Sequence, residues 1–217
     1  MTSTEATSPS TSTRRVGALG FIGALGVGAG LLGALHAVLL ITYLPAVADG
    51  SYSFPFPPGA FLVSQGFLAA RDVALAVLIA GLLWTPMARS RVARVGLAGG
   101  AVSMLLLAAL EIVSVAVDDT VDPGGWYGLA SFGVGVALTM AGVSAARTPA
   151  RSATLRLLPL FIGLYVFAVL TPGILAGFRA GQVVIAGWML LFARVGWALL
   201  TTSRSSTRQP DQLLEAA

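Results

Sequence analysis

Residues 60–84 read AFLVSQGFLAARDVALAVLIAGLLW, and this stretch decides the fold class of the chain. An α-helix rises about 1.5 Å per residue, so about 20 apolar residues cross a hydrocarbon core about 30 Å thick. The stretch is long enough to do so, yet it carries two adjacent charges near its centre, Arg71 and Asp72. Because a charge in the bilayer interior costs about 2.5–3.5 kcal/mol on insertion scales, such residues usually face other helices. The stretch therefore predicts a membrane helix packed within a bundle.

The composition of the whole chain supports a membrane protein. Apolar residues make up 56% of the 217 residues and charged residues 10%, against about 45–50% and about 25% in soluble domains. There is no cysteine, which excludes disulfides and thiolate metal sites. The arginines that give the net charge of +4 recur between apolar segments and are not gathered on one soluble face, so we expect no nucleic-acid binding.

Five further apolar stretches are long enough to cross a membrane. We predict an all-α fold, a polytopic transmembrane helical bundle in one domain, with six membrane-spanning helices at about 19–47, 60–84, 95–117, 126–146, 156–176 and 183–202. A disordered tail, 1–15, precedes the bundle and a polar tail, 203–217, follows it. The first stretch exceeds the length of a span, so residues 16–24 form either an interfacial turn or part of one tilted helix.

The distribution of charge predicts how the bundle lies in the membrane. One set of flanking segments carries most of the arginines, namely Arg14, Arg15, Arg89, Arg91, Arg94, Arg147, Arg151, Arg156, Arg204 and Arg208. The alternate loops carry Asp49, a solvated acidic turn at 118–122 and Arg179. By the positive-inside rule both termini are cytoplasmic. We expect a multi-pass protein of a bacterial plasma membrane whose partner is the lipid bilayer.

The first apolar run follows Arg14 and Arg15, as the core of a signal peptide would. It is far longer than the about 7–15 residues of such a core, so we expect it to be retained as a membrane span.

Small residues recur at helical spacing and predict where helices touch. The first span has Gly26 and Gly30 in a GxxxG arrangement, and a second row at Gly20, Ala24 and Gly28. The fourth span has a row of one small residue in every four, formed by Gly133, Ala137, Ala141 and Ala145. Such rows let two backbones approach closely, so we expect them at helix–helix contacts within the bundle.

Six polar residues inside the predicted spans form the candidate site, which is an intramembrane polar cluster of His36, Gln65, Arg71, Asp72, Glu111 and Arg194. Most of them lie near the midpoints of their spans, whereas Gln65 and Glu111 lie toward the outer side. Gln65 and Asp72 are seven residues apart and therefore share a face of their helix.

Helical rotation predicts how the charges of this cluster pair. Successive residues differ by about 100° around a helix, so Arg71 and Asp72 point to different neighbours. We predict that Arg71 pairs with Glu111 on the third span. Asp72 then faces either Arg194 or His36.

The sequence contains no motif that points to catalysis. A nucleophile elbow, a P-loop, an HExxH motif and a dinucleotide fingerprint are all absent. His36 is the only histidine, and we expect it to be a packed, hydrogen-bonded residue and not a ligand. We therefore predict no catalytic residue, no metal and no cofactor, and we favour a protein that is not an enzyme.

Two functions fit the intramembrane charges. In the first, the protein is a non-enzymatic membrane subunit or accessory protein, and its charges form a structural network of interhelical ion pairs. In the second, it is a small transporter or channel, and the same charges line a polar cavity at mid-membrane. The two hypotheses differ in whether the charges are sealed in dry pairs or border a cavity open to one side.

Aromatic residues are concentrated at the predicted membrane interfaces. Residues 51–58 read SYSFPFPP, and we predict that this loop forms a stiff aromatic cap on the outer side. Trp84, Trp126 and Tyr127 lie at the ends of spans, where we expect them to act as interfacial anchors.

Residues 43–122 carry a pattern found in one known family. Its elements are Leu44-Pro45, Ala48-Asp49-Gly50, Gly66, Arg71-Asp72-Val73-Ala74-Leu75, Arg91, Arg94 and Glu111. In these features the chain resembles small DoxX-like integral membrane proteins of bacteria, which have four helices. The resemblance implies a helical membrane bundle but no particular activity, and the last two predicted spans have no counterpart in it.

Overall fold

The computed structural model describes residues 10–48, 51, 53–116, 124–147 and 153–215. Within these ranges the chain is helical apart from short connections, and no strand occurs in them. Residues 1–9, Asp49, Gly50, Arg151 and the predicted acidic turn at 118–122 lie outside the described residues.

The helices of the described residues correspond to the predicted spans. Their bounds are α1 Ser10–Thr42, α2 Pro58–Gly81, α3 Arg91–Ala116, α4 Gly124–Ala146, α5 Ala153–Tyr165, α6 Thr171–Leu175 and α7 Phe178–Glu215. A π-helical segment, Val166–Leu170, joins α5 to α6, and together they form one span, which we call the fifth span, Leu155–Leu175. Six stretches of the described chain are long and apolar enough to cross a membrane, which confirms the predicted all-α bundle.

Several boundaries differ from the predicted ones. Helix α1 runs without a break from Ser10, so of the two alternatives for residues 16–24 the structure has the continuous helix and not the interfacial turn, and residues 10–15 are helical where we predicted disorder. It ends at Thr42 and not at residue 47, because Pro45 has no backbone N–H and disfavours helical geometry in the residue before it. At the other terminus, α7 starts at Phe178 and extends through most of the predicted tail to Glu215.

The spans run alternately up and down and close into a ring. Each of the first five spans packs against the next in sequence, and α7 packs against both α1 and the fifth span. We call the half of the bundle that holds the start of α1 and the end of α7 the terminus half. The other half, which holds the end of α1 and the start of α7, is called the loop half.

Small residues produce the closest helix contacts, and most of these lie in the terminus half. At Gly30 a Cβ would lie 2.6 Å from the backbone nitrogen of Ala193, and at Gly26 it would lie 2.6 Å from Leu78. The predicted GxxxG pair therefore lies at helix contacts, as expected. The second predicted row is wrong beyond Gly20, because Ala24 is exposed and a Cβ at Gly28 would meet no atom within 4 Å.

The row of small residues on α4 is a helix contact, as predicted. A Cβ at Gly96 on α3 would lie 2.5 Å from the carbonyl oxygen of Ala137 and 2.8 Å from the nitrogen of Ala141. Gly133, at the other end of the row, lies against Ser103. The small side chains of Ala137 and Ala141, together with the lack of one at Gly96, let α3 and α4 approach to this distance.

The outer surface of the bundle is apolar, as expected for a surface in contact with lipid. Leu106, Val136 and Phe161 are exposed on the middle parts of different spans. Trp84 and Trp126 lie at the ends of their spans and are 63% and 62% exposed. Their positions fit the predicted role as interfacial anchors.

Candidate intramembrane binding site

A cavity of about 200 Å³ lies inside the loop half of the bundle. Every span contributes to its wall, which is formed by His36, Ala37, Leu40, Leu68, Arg71, Asp72, Leu107, Glu111, Tyr127, Ser131, Leu170, Ile174, Gln182, Ile185, Trp188 and Met189. Four members of the predicted cluster therefore border one space, and a fifth, Gln65, lines its continuation toward the end of the bundle. The sixth, Arg194, lines neither part.

Arg71 and Asp72 form an ion pair with each other. Nε of Arg71 donates to Oδ1 of Asp72 at 2.8 Å, and an Nη nitrogen approaches the same oxygen at 2.8 Å. The two side chains are only 11% and 2% exposed. The prediction that these neighbours do not pair is wrong, because it considered only the directions of the Cβ atoms. The long arginine side chain bends back along the helix, and its fork of donors reaches the adjacent carboxylate.

A glycine on α1, which has no side chain, makes room for this arginine. At Gly33 a Cβ would lie 2.8 Å from Cδ of Arg71 and 2.9 Å from the sulfur of Met189. Gly33 therefore lets the stem of Arg71 pass between α1 and α7. It was not part of the predicted site, although it lies one turn before His36 on the same helix.

Glu111 is held by a tyrosine and not by Arg71. The hydroxyl of Tyr127 donates to Oε2 of Glu111 at 2.8 Å, and Glu111 is 6% exposed. The predicted pair of Arg71 with Glu111 is thus wrong, although both residues border the same cavity. Tyr127 was expected at the membrane interface. Tyr127 enters the site because α3 and α4 are antiparallel neighbours. Glu111 lies shortly before the end of α3 and Tyr127 shortly after the start of α4, so the two residues lie at the same level of the bundle.

His36 is a packed, hydrogen-bonded residue, as predicted. Its Nε2 lies 3.0 Å from Oγ of Ser64, and its ring centre lies 5.1 Å from that of Phe67. His36 thus bonds to Ser64 and not to Asp72, although the two residues border the same cavity. The imidazole links α1 to α2 and presents part of its surface to the cavity.

Two buried oxygen atoms around the cavity have no hydrogen-bond partner. They are Oδ2 of Asp72 and Oε1 of Gln65, on residues that are 1% and 8% exposed. Both project from the same face of α2, as their spacing of seven predicts. A buried polar atom without a partner is costly and uncommon, so each of these atoms is a candidate to accept a hydrogen bond from a bound group or from water.

Arg194 lies on the outside of the bundle. It is exposed, as are Leu190 and Trp197 on the same face of α7, while its neighbours Ala193 and Val195 are buried. Its place in the predicted cluster, and its predicted pairing with Asp72, are wrong. A helical wheel of the apolar residues of α7 would have shown this orientation, since residues 190, 194 and 197 share one face.

The cavity continues toward the end of the loop half. This outer part shares six residues with the deep part, namely His36, Leu40, Leu68, Glu111, Tyr127 and Gln182. It is otherwise lined by Phe54, Pro55, Phe56, Phe61, Ser64, Gln65 and Phe178. The rings of Phe54 and Phe178 lie 5.3 Å apart, and those of Tyr43 and Phe56 lie 4.8 Å apart. The predicted aromatic loop therefore folds over the bundle and forms the wall of the opening.

The helix that borders the cavity from the fifth span is irregular. Its π-helical segment, Val166–Leu170, is followed by Pro172 and Gly173. The hydroxyl of Thr171 donates to the carbonyl of Val166 at 2.8 Å, and Tyr165 donates to the carbonyl of Val184 at 3.0 Å. Such interruptions of an α-helix are frequent at functional sites.

The residues of the site do not suggest a bound metal. Among the described residues, no group of three or more histidine, aspartate or glutamate side chains is placed to hold an ion.

Comparisons with protein-family models, with curated proteins and with solved structures gave no match. The resemblance to DoxX-like proteins accordingly stays a prediction, and no activity is carried over from that family.

Proposed function

We propose that this integral membrane protein is a small transporter that binds a polar molecule in the cavity of its loop half. The observation that carries the proposal is the position of Asp72, a buried carboxylate that borders the cavity with one oxygen unpartnered. Ionisable residues at membrane depth face a partner or a substrate pathway. Here Asp72, Arg71 and Glu111 face a common space, so they fit a pathway better than a sealed network.

The pairing of the charges supports this choice over an accessory subunit with a structural network. An ion pair fixes the order of helices only if it joins two of them. Arg71 and Asp72 are adjacent on α2, and their pair joins no second helix. The bond between Tyr127 and Glu111 does join two helices, but these are already neighbours in sequence. Little of the charge of the cluster is therefore used for assembly.

The contrast between the two ends of the cavity supports a pathway with one open side. Toward the loop end the cavity continues between aromatic side chains of the connecting loop. Toward the terminus half it meets close backbone contacts such as that of Gly30 with Ala193. Together with the irregular fifth span, this resembles an arrangement common in transporters, in which broken helices border a central site. A later opening of the terminus half would complete a transport cycle.

The proposal includes an orientation and a location. The terminus half carries most of the arginines, so by the positive-inside rule it faces the cytoplasm. The cavity then opens to the outer side of a bacterial plasma membrane. The side from which a reagent enters the cavity tests both statements.

The test uses the absence of cysteine from the chain. Ser131→Cys places a thiol on the cavity wall, and Leu129→Cys places one at a similar depth of α4 on the exposed, apolar surface. A charged, membrane-impermeant thiol reagent reacts with a thiolate in water and not with a thiol in lipid. Added to intact cells, it is expected to label Ser131→Cys at least tenfold faster than Leu129→Cys.

Equal and slow labelling of the two variants would contradict an accessible cavity and favour the structural network. Labelling of Ser131→Cys only from the cytoplasmic side, in inverted vesicles, would reverse the proposed orientation.

A further inference from the structure

The unpartnered oxygens of the site identify the hydrogen-bonding character of what it binds. Asp72 Oδ2 and Gln65 Oε1 are acceptors, since a carboxylate oxygen and an amide oxygen carry lone pairs and no hydrogen. The indole nitrogen of Trp188 is a buried donor on the same cavity and also lacks a partner. Around the two parts of the cavity, unpartnered acceptors thus outnumber unpartnered donors among the described residues. A ligand that fits is chiefly a donor of hydrogen bonds.

The formal charges around the cavity point in the same direction. The wall carries one guanidinium, of Arg71, and two carboxyl groups, of Asp72 and Glu111. Arg71 is engaged by Asp72, and the bond that Glu111 makes is with a neutral hydroxyl group. With Glu111 ionised, one negative charge has no counter-charge among the side chains of the wall. A ligand with a single positive charge would balance it, and the low dielectric constant of the interior would strengthen the attraction.

The remaining wall suits a cation as well. Trp188 and Tyr127 line the deep part, and Phe54, Phe61 and Phe178 line the outer part. The faces of such rings attract ammonium groups by about 0.5–2 kcal/mol, with tryptophan the most effective. An approach lined by aromatic rings therefore lets a cation leave water in stages.

The volume limits the size of the ligand. The deep cavity has about 200 Å³, which is below the about 300–1,000 Å³ of sites for drug-sized molecules. A compact molecule of a few carbon atoms is thus the largest that the cavity accepts in this conformation.

We propose that the cavity binds a small primary ammonium ion, whose N–H groups donate to Asp72 in the deep part, with Gln65 as a further acceptor along the outer part, and whose charge is balanced by Glu111. The proposal rests on the function proposed above and adds the chemical class of the substrate. A quaternary ammonium ion carries the same charge but has no N–H, so it would leave both acceptors without a partner. The two kinds of cation therefore separate hydrogen bonding from charge.

The experiment measures how well four compounds protect Ser131→Cys from the thiol reagent in purified protein in lipid nanodiscs. The compounds are n-propylammonium, tetramethylammonium, n-propanol and propionate, in the millimolar range. Propylammonium is expected to slow labelling, tetramethylammonium to require at least a tenfold higher concentration, and the alcohol and the anion to have no effect. Because labelling without a ligand is measured first, loss of cavity access is distinguished from a wrong ligand class.

Two variants test the assigned residues. Glu111→Gln retains an oxygen for the Tyr127 hydroxyl but removes the charge, and it is expected to weaken protection by propylammonium at least tenfold. Gln65→Leu removes one acceptor and is expected to weaken it several-fold, while leaving the effect of tetramethylammonium unchanged. Arg194→Gln, on the outer surface, serves as the control with unchanged protection.

Protection by propionate or by propanol that equals or exceeds that of propylammonium would overturn the ammonium assignment, as would the failure of all four compounds to protect. Equal affinity for the two cations would overturn the role of Asp72 and Gln65 as acceptors. In each of these cases rapid labelling of Ser131→Cys would still support the cavity and the transport function.

Discussion

In the terminus half of the bundle the helices touch through glycines and apolar side chains, whereas in the loop half they stand around a cavity with carboxylates in its wall. Gly23 of α1 lies against the backbone of Gly196 and Leu200 in the first region. In the second, Asp72 and Glu111 are buried beside open space. The same helices build both regions. Close packing at one end of a helical bundle can thus coexist with buried polar groups beside open space at the other.

The backbone approach in the terminus half gives the largest expected effect. Gly23→Leu would force a side chain into Gly196 and Leu200, where a Cβ alone would lie 2.8 Å from backbone atoms. We expect a loss of about 3 kcal/mol or more in the free energy of unfolding, since backbone cannot yield as a side chain can. Gly28→Leu, on the same helix but with no neighbour within 4 Å, is the control and should be near neutral. Unfolding in mixed micelles measures both.

If Gly23→Leu were as stable as Gly28→Leu, the contact between α1 and α7 in the terminus half would be loosely packed. The proposal that it closes one side of the pathway would then lose its structural basis.

The ion pair on α2 gives the next largest effect. Arg71→Met leaves the carboxylate of Asp72 buried without its partner, and breaking a buried pair in this way costs about 3–5 kcal/mol. The double variant Arg71→Met/Asp72→Leu removes both charges and should recover most of that loss. Arg71→Met/Glu111→Gln should not recover it. The free energies of unfolding of the three variants, together with those of the single variants Asp72→Leu and Glu111→Gln, complete two double-mutant cycles that check this expectation.

Recovery by the Glu111 double variant and not by the Asp72 one would show that Arg71 depends on the third span. The pairing first predicted from helical rotation would then be correct.

The two tyrosine hydrogen bonds provide a smaller, matched comparison within the loop half. Tyr127→Phe removes a bond to the carboxyl group of Glu111 and is expected to cost about 1.5–3 kcal/mol. Tyr165→Phe removes a bond to the backbone carbonyl of Val184 and is expected to cost about 0.5–1.5 kcal/mol. The midpoint of thermal unfolding should therefore be lower for Tyr127→Phe than for Tyr165→Phe. A larger loss for Tyr165→Phe would indicate that the irregular fifth span, and not Glu111, limits the stability of this half.

The exposed arginine of α7 gives the smallest effect. Arg194 belongs to neither region, because it lies on the outer surface. Arg194→Leu should therefore change the free energy of unfolding by no more than about 0.5 kcal/mol and leave the labelling of Ser131→Cys unchanged. A clear loss in either measurement would show that Arg194 supports the bundle through a group outside this chain.

Much of the architecture could be predicted because it depends on length and hydropathy along the chain. Each span needs about 20 apolar residues, and this requirement alone located six helices in the described part of the chain. The GxxxG pair at Gly26 and Gly30 correctly marked a helix contact, since only small residues allow it. Boundaries such as Thr42 and Phe178 were less predictable, because the loops next to them are also apolar.

The candidate site could be predicted only in part. The identity of the buried charges followed from the cost of placing a charge in hydrocarbon, and Asp72 and Glu111 are indeed buried. Their hydrogen-bond partners could not be predicted. The side chain of Arg71 is long and flexible, and a difference of a few ångströms in its reach decides whether it pairs with Asp72 or with Glu111. Tyr127 and Gly33 were missed for the same reason, since their roles depend on which helices lie opposite.

Length and hydropathy along the chain were enough to predict an all-α bundle with six apolar helices and a few charges that must be accommodated inside it. The tertiary structure alone decided that Arg71 turns back to Asp72, that Arg194 faces outward, and that the remaining polar groups surround a cavity. Hydropathy acts along the chain and can be read residue by residue. The pairing of charges and the presence of open space depend on distances between helices, and these are set by all the contacts of the bundle together.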